Sequence, residues 1–315
     1  MQLQVLSLIP QEVFPGGLSQ YLSNNPSSHY KVYKIPKRTL GFRVIAQPTP
    51  ELKYIQRLIV EKIKPHVQIH SSAKAYVENI NIKDNASVHV KSNYLLKMDF
   101  ENFFNSLTPP MLLSAIKLQN INLVAKEIEP LMGLLFWNRT KKKKPNLILS
   151  VGAPCSPFLS NLIMYNFDKV VTDKLSILNI NYSRYADDLT FSTSEKDKLF
   201  EIPAVIESVL YELYGGKLKI NHSKTVFSSK AHNRHVTGIT LTNNNKLSLG
   251  RERKRYIRAL LHKFSTQSLK SEEDIAHLKG LVGFVKTVEP DFLKKMKTRY
   301  GNQVFVDLFK YGGNN

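Results

Sequence analysis

Cysteine is almost missing from this chain of 315 residues: Cys155 is the only one. A single thiol excludes an intrachain disulfide and a zinc site built from cysteines. It fits a reducing, cytoplasmic setting, which is the expected location. Long apolar runs are missing too. No stretch of about 18 apolar residues occurs, so no helical membrane span is expected. The first ten residues are apolar but lack the basic start of a secretory signal. There is no internal repeat and no long low-complexity tract. Acids are scarce, with 25 Asp+Glu against 45 Lys+Arg and a formal net charge of +20. Core material is plentiful. Hydrophobic residues make up 42% and aromatics 10%, which argues against disorder. The length suits a real core divided into two or three subdomains.

The bland reading of such a charge excess is a solvated surface. Its distribution favours a polyanion partner. Between Tyr30 and Lys64 stand Lys31, Lys34, Lys37, Arg38, Arg43, Lys53, Arg57, Lys62 and Lys64, against only Glu51 and Glu61. Tyr30, Tyr33, Phe42 and Tyr54 lie among them. Cations for phosphates and aromatic faces for bases make the composition of a nucleic-acid channel. The run Lys141-Lys142-Lys143-Lys144 reads as an exposed loop, with a grip on nucleic acid as the alternative.

Periodicity organises the rest. Alternation from Tyr30 to Ala46 predicts a hairpin broken by a turn at Pro36 to Gly41. Leu52, Ile55, Ile59 and Ile63 keep a helical period. Further helices are expected at 73–80, 109–118, 154–170 and 202–214. Strands are expected at 94–100, as a hairpin over 182–193, as a pair formed by 218–221 and 224–227, and at 235–241. Beyond Asn243 the chain turns helical and basic. The expected fold class is α+β.

The strongest chemical signal is Tyr185-Ala186-Asp187-Asp188. Two adjacent carboxylates stand inside β-type sequence, where their mutual repulsion is costly without a cation. Leu95-Leu96-Lys97-Met98-Asp99-Phe100 offers a second apolar strand ending in an acid. Three such acids in a strongly basic chain point to hard divalent metals acting on a polyphosphate or nucleic acid. Taken alone, an Asp-Asp pair is as well explained as a turn cap.

The flanks change that balance. Arg184 followed by Tyr-Ala-Asp-Asp resembles the third conserved block of reverse transcriptases. Met98-Asp99-Phe100-Glu101-Asn102-Phe103-Phe104 resembles their first palm block, and Val151-Gly152-Ala153-Pro154-Cys155-Ser156-Pro157 their second. The order and spacing agree from about Tyr30 to Leu241. Asn85-Ala86-Ser87-Val88-His89 is similar to the Asn-Ala-x-x-His signature of bacterial retron reverse transcriptases, and Val236-Thr237-Gly238 to their Val-Thr-Gly signature.

That resemblance implies a right-hand polymerase fold with an antiparallel palm sheet. Residues 1–93 would form an N-terminal segment and fingers, 94–242 the palm with fingers elements around 110–150, and 243–315 a helical thumb. No endonuclease, maturase or RNase H addition is expected. Asp99 and Asp187 would hold two magnesium ions, with Asp188 as a third, less direct carboxylate. Arg43, aided by Lys37 or Arg38, would contact the triphosphate of a deoxynucleotide, with a phosphate-backbone or solvent role as the alternative for any one of them, and Asn102 and Phe103 would offer it backbone N–H groups. Phe104 would bar a 2′-hydroxyl, the alternative being a core phenylalanine on one face of a strand. Gly152 would let the backbone approach the template–nucleotide pair. Lys224 matches the lysine of the fourth palm block and would protonate departing pyrophosphate; a surface lysine is the alternative. Asn85, His89, Val236, Thr237 and Gly238 would recognise the retron RNA, with a structural role as the alternative for His89. Cys155 reads as a packed small residue. One departure stands out: Val151 occupies the position before the glycine where many reverse transcriptases carry Gln.

The implied partners are a cognate noncoding RNA, its multicopy single-stranded DNA (msDNA) product, deoxynucleoside triphosphates, and an operon-encoded antiphage effector of the ATPase plus HNH nuclease kind. No membrane partner is expected. Synthesis would start from the 2′-hydroxyl of a guanosine. The rivals are a group II intron-like or diversity-generating reverse transcriptase, and a non-catalytic RNA-binding scaffold of the same fold. Separately, Arg251, Arg253, Lys254, Arg255 and Arg258 crowd one helix start, where cations sit badly. That crowding predicts RNA binding at Arg253, Lys254 and Arg255, with a solvated helix face as the alternative.

Overall fold

The computed structural model describes residues 2–37, 41–140 and 145–311. Arg38 and the Lys141 to Lys144 run lie outside the described residues. In chain order, β1 (Gln2–Leu3) and α1 (Leu18–Ser23) lead to the hairpin of β2 (Tyr30–Pro36) and β3 (Phe42–Pro48). Its register sets Tyr30 opposite Pro48 and Pro36 opposite Phe42. Helix α2 (Pro50–Ile63) follows, with Thr49 accepting the Leu52 N–H as its cap and Pro50 in its first turn. Leu52, Ile55, Ile59 and Ile63 form its buried stripe. Next come α3 (Ile82–Ser87), β4 (Tyr94–Asp99), α4 (Phe103–Ser106), α5 (Pro109–Leu118), β5 (Asn122–Leu123) and α6 (Ala125–Leu135). The strands β6 (Trp137–Asn138) and β7 (Leu147–Ile148) precede α7 (Ser156–Ile163) and α8 (Tyr165–Ser176). A hairpin of β8 (Asn181–Tyr185) and β9 (Asp188–Thr193) leads to α9 (Ile202–Tyr214). The chain closes with β10 (Val226–Ser229), β11 (Arg234–Val236), β12 (Ile239–Leu241), β13 (Leu247–Ser248), α10 (Arg251–Ser265), α11 (Glu272–Val288), α12 (Pro290–Tyr300) and α13 (Asn302–Lys310). A four-stranded sheet has the order β10-β4-β9-β8.

Packing divides the chain into two compact units. The first comprises residues 1–80, 97–191 and 197–226. There α8 packs on β8 and α9, and α5 on α7, around Leu112, Leu159, Phe167 and Phe191, each fully buried. The second comprises residues 81–96, 192–196 and 227–315. Its helices α10 to α13 bury Ile257, Leu261, Leu278, Val285 and Leu308 with Ala86 and Val236. Each such side chain contributes roughly 1.5–3 kcal/mol of burial. This division departs from the expected boundaries at 93/94 and 242/243. Residues 81–93 and 227–242 pack with the C-terminal helices, because α3 and the β11–β12–β13 sheet supply one side of that core.

Several local expectations are corrected. No helix forms over 73–80. Ala73 instead makes a parallel bridge with Arg184, and Tyr76 and Asn79 take left-handed backbone at φ +61°. The helix begins only at Ile82, behind a capping box of Asn81 and Asp84. The 154–170 helix is two helices, broken at Met164 and running on to Ser176. Residues 218–221 do not pair with 224–227: Ile220 bridges Phe100, and Lys224 lies in a single 3₁₀ turn. The 235–241 strand folds back on itself at Thr237 and Gly238, both at positive φ, so that Val236 pairs with Ile239. Phe103 and Phe104 open α4 rather than alternating along a strand.

Candidate active site

Two backbone ties bring the acids together in the first unit. The Phe100 N–H donates to the Asp187 carbonyl at 3.1 Å, and the Asn221 N–H to the Asp99 carbonyl at 2.7 Å. Asp187 and Asp188 follow Ala186, which sits in the left-handed region at φ +58°. That conformation costs an alanine about 1–2 kcal/mol and is held from below. The guanidinium of Arg184 donates to the Ala186 carbonyl at 3.1 Å and to Asn161 Oδ1 at 3.1 Å. Its Nε and second terminal nitrogen engage both carboxylate oxygens of Asp168, at 2.9 and 2.6 Å, and the Tyr182 hydroxyl adds a third donor at 2.7 Å. Both members of this ion pair are fully buried.

The carboxylates above this platform are electrostatically unsatisfied. Burial, and then the charge of Asp99, hold the Asp187 carboxyl above its ordinary range. Asp188 is pushed up to about 7, by burial first and then by the charges of Asp187 and Asp99. Lys224 Nζ lies 2.8 Å from Asp99 Oδ1. A hydrogen bond to Asp99 keeps Lys224 protonated more firmly than a free lysine. One ammonium among three carboxylates leaves an excess of negative charge. Among the described residues no three ligating side chains close into a metal cage. Magnesium does not require one, because it keeps several waters and binds through one or two carboxylates. The all-oxygen donor set and its unbalanced charge therefore suit such an ion.

Around this cluster the other expected nucleotide residues fall out unequally. Arg43 is exposed on β3, and its charge reaches Asp187 and Tyr76. Lys37 is exposed at the hairpin end. Asn102 is left-handed at φ +45° and starts α4, so the first N–H groups of that turn have no helical acceptor. Phe103 is core, stacked on Phe100 at 5.3 Å. Phe104 is half-buried and lines an open pocket of about 360 Å³ with Tyr76, Val151, Gly152, Lys53 and Arg57. Gly152 is needed for a local reason: φ is +122°, and a Cβ there would meet the Ala46 carbonyl at 3.1 Å. The close approach is to the β3 backbone, which the Ala46 N–H reinforces by donating to the Val151 carbonyl at 2.9 Å. Sequence reasoning missed Tyr76 and gave Lys53 and Arg57 no specific place. The i, i+4 spacing of those two cations on α2 was the available signal. Cys155 is buried and inert, its thiol pushed up to about 12 by burial.

The expected RNA residues lie in the second unit, and three of the eight are turned inward. Asn85, His89 and Val236 are buried. Asn85 Nδ2 reaches Thr237 Oγ1, which donates to the Ile82 carbonyl at 3.3 Å. His89 Nδ1 lies 2.8 Å from Ser192 Oγ. Thr237 and Gly238 make the turn between β11 and β12. The two signature segments thus bind each other, and Asn85, His89 and Val236 have their neighbours inside the protein. Lys254 is salt-bridged to Glu289 at 2.5 Å. Arg253 donates to the Gly238 carbonyl at 3.0 Å and stacks over Phe284. Arg255 is exposed.

The profile of the family described as reverse transcriptase (RNA-dependent DNA polymerase) matches residues 35–241. The chain therefore belongs to the reverse transcriptases. Among curated relatives, the Retron Ec83 reverse transcriptase of Escherichia coli is 52% identical over 92% of this chain and 93% of its own length. The Retron Ec73 reverse transcriptase of the same species is 28% identical over 96% of each chain. The Retron Mx65 reverse transcriptase of Myxococcus xanthus is 28% identical over 90% of this chain and 68% of its own. Within its family this chain is a bacterial retron reverse transcriptase, and so an RNA-directed DNA polymerase. Two solved telomerase structures with a fragment of telomeric RNA are similar in fold. That of Candida albicans has a TM-score of 0.50 at 13% identity, covering 97% of this chain and 65% of that one. That of Candida tropicalis has a TM-score of 0.50 at 14%, covering 88% and 57%. The chain thus spans less than two thirds of either telomerase, and the likeness shows the fold alone. No helix among the described residues is long and apolar enough to cross a membrane.

Proposed function

We propose that this enzyme copies a structured noncoding RNA of its own operon in the cytoplasm, primed by the 2′-hydroxyl of a guanosine, and yields branched msDNA. Asp99, Asp187 and Asp188 carry the chemistry and would hold two magnesium ions. Metal held there would supply activation of the primer hydroxyl and neutralisation of the departing pyrophosphate. The rest falls to side chains. The Arg184 platform fixes the turn that presents Asp187 and Asp188. Lys224 keeps a proton at Nζ beside Asp99, available to the leaving pyrophosphate. Arg43, aided by Lys37 or Arg38, would contact the triphosphate, and the first turn of α4 at Asn102 and Phe103 would offer it N–H groups. Gly152 and Phe104 line the nucleotide pocket, and Phe104 excludes a 2′-hydroxyl. In this reading the fingers contain the β2–β3 hairpin and α2, the palm β4, β8 and β9, and the thumb α10 to α13. The thumb, with Arg255 exposed, contacts the RNA. An antiphage role with an effector of the ATPase plus HNH nuclease kind rests on retron membership.

One observation carries the reading: three carboxylates, two of them held above their ordinary range, share one lysine in a retron reverse transcriptase. Asp187→Asn and Asp99→Asn tests it, since an amide cannot replace an anionic ligand. The purified variants are expected to fold and bind the cognate RNA but make no DNA with magnesium. Product near the parent's rate from either variant refutes the assignment.

A further inference from the structure

We propose that Tyr76 is a positioning residue of the nucleotide pocket, holding the Phe104 ring where it excludes a 2′-hydroxyl. The inference rests on the reading of Phe104 as the sugar gate. Tyr76 lies in the segment that sequence periodicity mistakes for a helix. Its backbone is left-handed at φ +61°, an uncommon state for a bulky residue. The surrounding bonds enforce it. Ala75 is buried, and its carbonyl accepts a hydrogen bond from Asn161 Nδ2 at 2.7 Å. Asn161 Oδ1 in turn accepts from Arg184, the residue that grips Ala186. The Lys74 N–H donates to the Arg184 carbonyl at 2.8 Å. One buried network therefore sets both the carboxylate turn and the residue before Tyr76.

The side chain that this strain presents does not enter the core. Tyr76 is 52% exposed and lines the same pocket as Phe104, Val151 and Gly152. The rings recorded against Phe104 among the described residues are Phe103 at 5.4 Å and Tyr76 at 6.4 Å, the latter tilted by 49°. Phe103 is buried and fixed. Tyr76 is the contact through which the loop reaches the gate. Its hydroxyl stays protonated: burial, then the charge of Asp187, raise it above the ordinary tyrosine range. The wall therefore adds no anion beside a triphosphate. Val151 offers no polar side chain to a sugar, and the aromatic rings that line this pocket are those of Tyr76 and Phe104.

The test is single-nucleotide extension of a primed RNA template with dGTP and with GTP. It compares the parent, Phe104→Ala, Tyr76→Asn, Tyr76→Gly and Tyr76→Phe, with thermal melting as a check on folding. Asparagine and glycine both accept the left-handed backbone. The readout is the ratio of kcat/KM for the two nucleotides, which loss of folded enzyme does not change. Phe104→Ala is expected to lose most of the preference for dGTP. Tyr76→Asn and Tyr76→Gly are each expected to lower it by about 2- to 10-fold, the scale of one aromatic pair. Tyr76→Phe is expected to retain it. A full preference in both Tyr76→Asn and Tyr76→Gly, alongside a lost preference in Phe104→Ala, overturns the inference and leaves the gate standing. A full preference in Phe104→Ala overturns the gate, and the role of Tyr76 with it.

Discussion

Arg184→Met should separate stability from catalysis when it is combined with Asp168→Leu. The single substitution removes two terminal nitrogens and Nε from a site closed to solvent. It leaves the Asp168 carboxylate with the Tyr182 hydroxyl at 2.7 Å as its remaining recorded side-chain donor. Breaking a buried pair in this way costs about 3–5 kcal/mol. Against a total of roughly 5–15 kcal/mol that is a large loss. In a unit of this size it should lower the melting temperature by roughly 6 to 20 °C. The double substitution removes both charges, and apolar side chains of similar volume should restore most of the stability. It cannot restore the hydrogen bond to the Ala186 carbonyl. The left-handed turn, which costs about 1–2 kcal/mol, then loses its clamp. A comparable misplacement of Asp187 and Asp188 in the transition state lowers turnover about tenfold per 1.4 kcal/mol. Thermal melting and single-turnover nucleotide addition at saturating magnesium read the two effects separately. A double variant with both the parent's stability and the parent's rate would show that the turn stands without Arg184. A single variant that melts with the parent would show that the pair is not sealed from water.

The same site sets a pH dependence. Asp188 titrates at about 7 in the fold against 3.8 as the ordinary value, so the folded state binds this proton more tightly. Stability of the metal-free protein should therefore fall as pH rises from about 4 to about 7 and level off above. Asp188→Asn should lack that component in melting curves taken with a chelator; identical pH profiles for parent and variant would contradict it. Magnesium competes with the proton and should raise the melting temperature more at pH 8 than at pH 6. For the basic start of α10, Lys254 and Arg253 are committed to Glu289, Gly238 and Phe284. The triple change Arg253→Ala/Lys254→Ala/Arg255→Ala should reduce the log–log salt slope of RNA binding by about one, and Arg255→Ala alone should do the same. A reduction near three would mean that Arg253 and Lys254 leave their partners for phosphates.

The acids were legible from their flanks: an Asp-Asp pair alone reads equally well as a turn cap, and the ordered blocks around Asp99, Gly152 and Asp187 tip the balance. The β2–β3 hairpin and α2 were legible from period alone. The 73–80 segment was not, because Ala73, Val77 and Ile80 imitate the apolar face of a helix, while the bridge of Ala73 to Arg184 joins residues distant in the chain. Asn85 and His89 look like polar loop residues by type, and nothing local reveals that Thr237 and Ser192 bury them. The crowding of cations on α10 suggested a polyanion partner. Glu289 lies on the far side of α11 in sequence, so its neutralisation of Lys254 is invisible to any local count. Local pattern thus picked out the acids that the fold brings together and missed partners that are distant in the chain.

Left-handed backbone occurs at the site as well as elsewhere in the chain. Tyr76, Asn102 and Ala186 are left-handed residues other than glycine, at φ +61°, +45° and +58°. They border the pocket, the start of α4 and the carboxylate turn. Such conformations persist only where surrounding structure over-determines them. Here the surroundings are specific: Arg184 grips Ala186, Asn161 grips Ala75, and the Ser106 N–H donates to the Asn102 carbonyl at 3.0 Å. The first two grips belong to one side-chain network, anchored on the Arg184–Asp168 pair. A fold that only needed to close a turn would use glycine at these positions and spare a buried ion pair. Holding carboxylates and an aromatic wall in fixed relation gives that network a reason to exist. It also explains why Arg184 precedes the acids: it lies near the end of β8, two residues from the carbonyl it must hold.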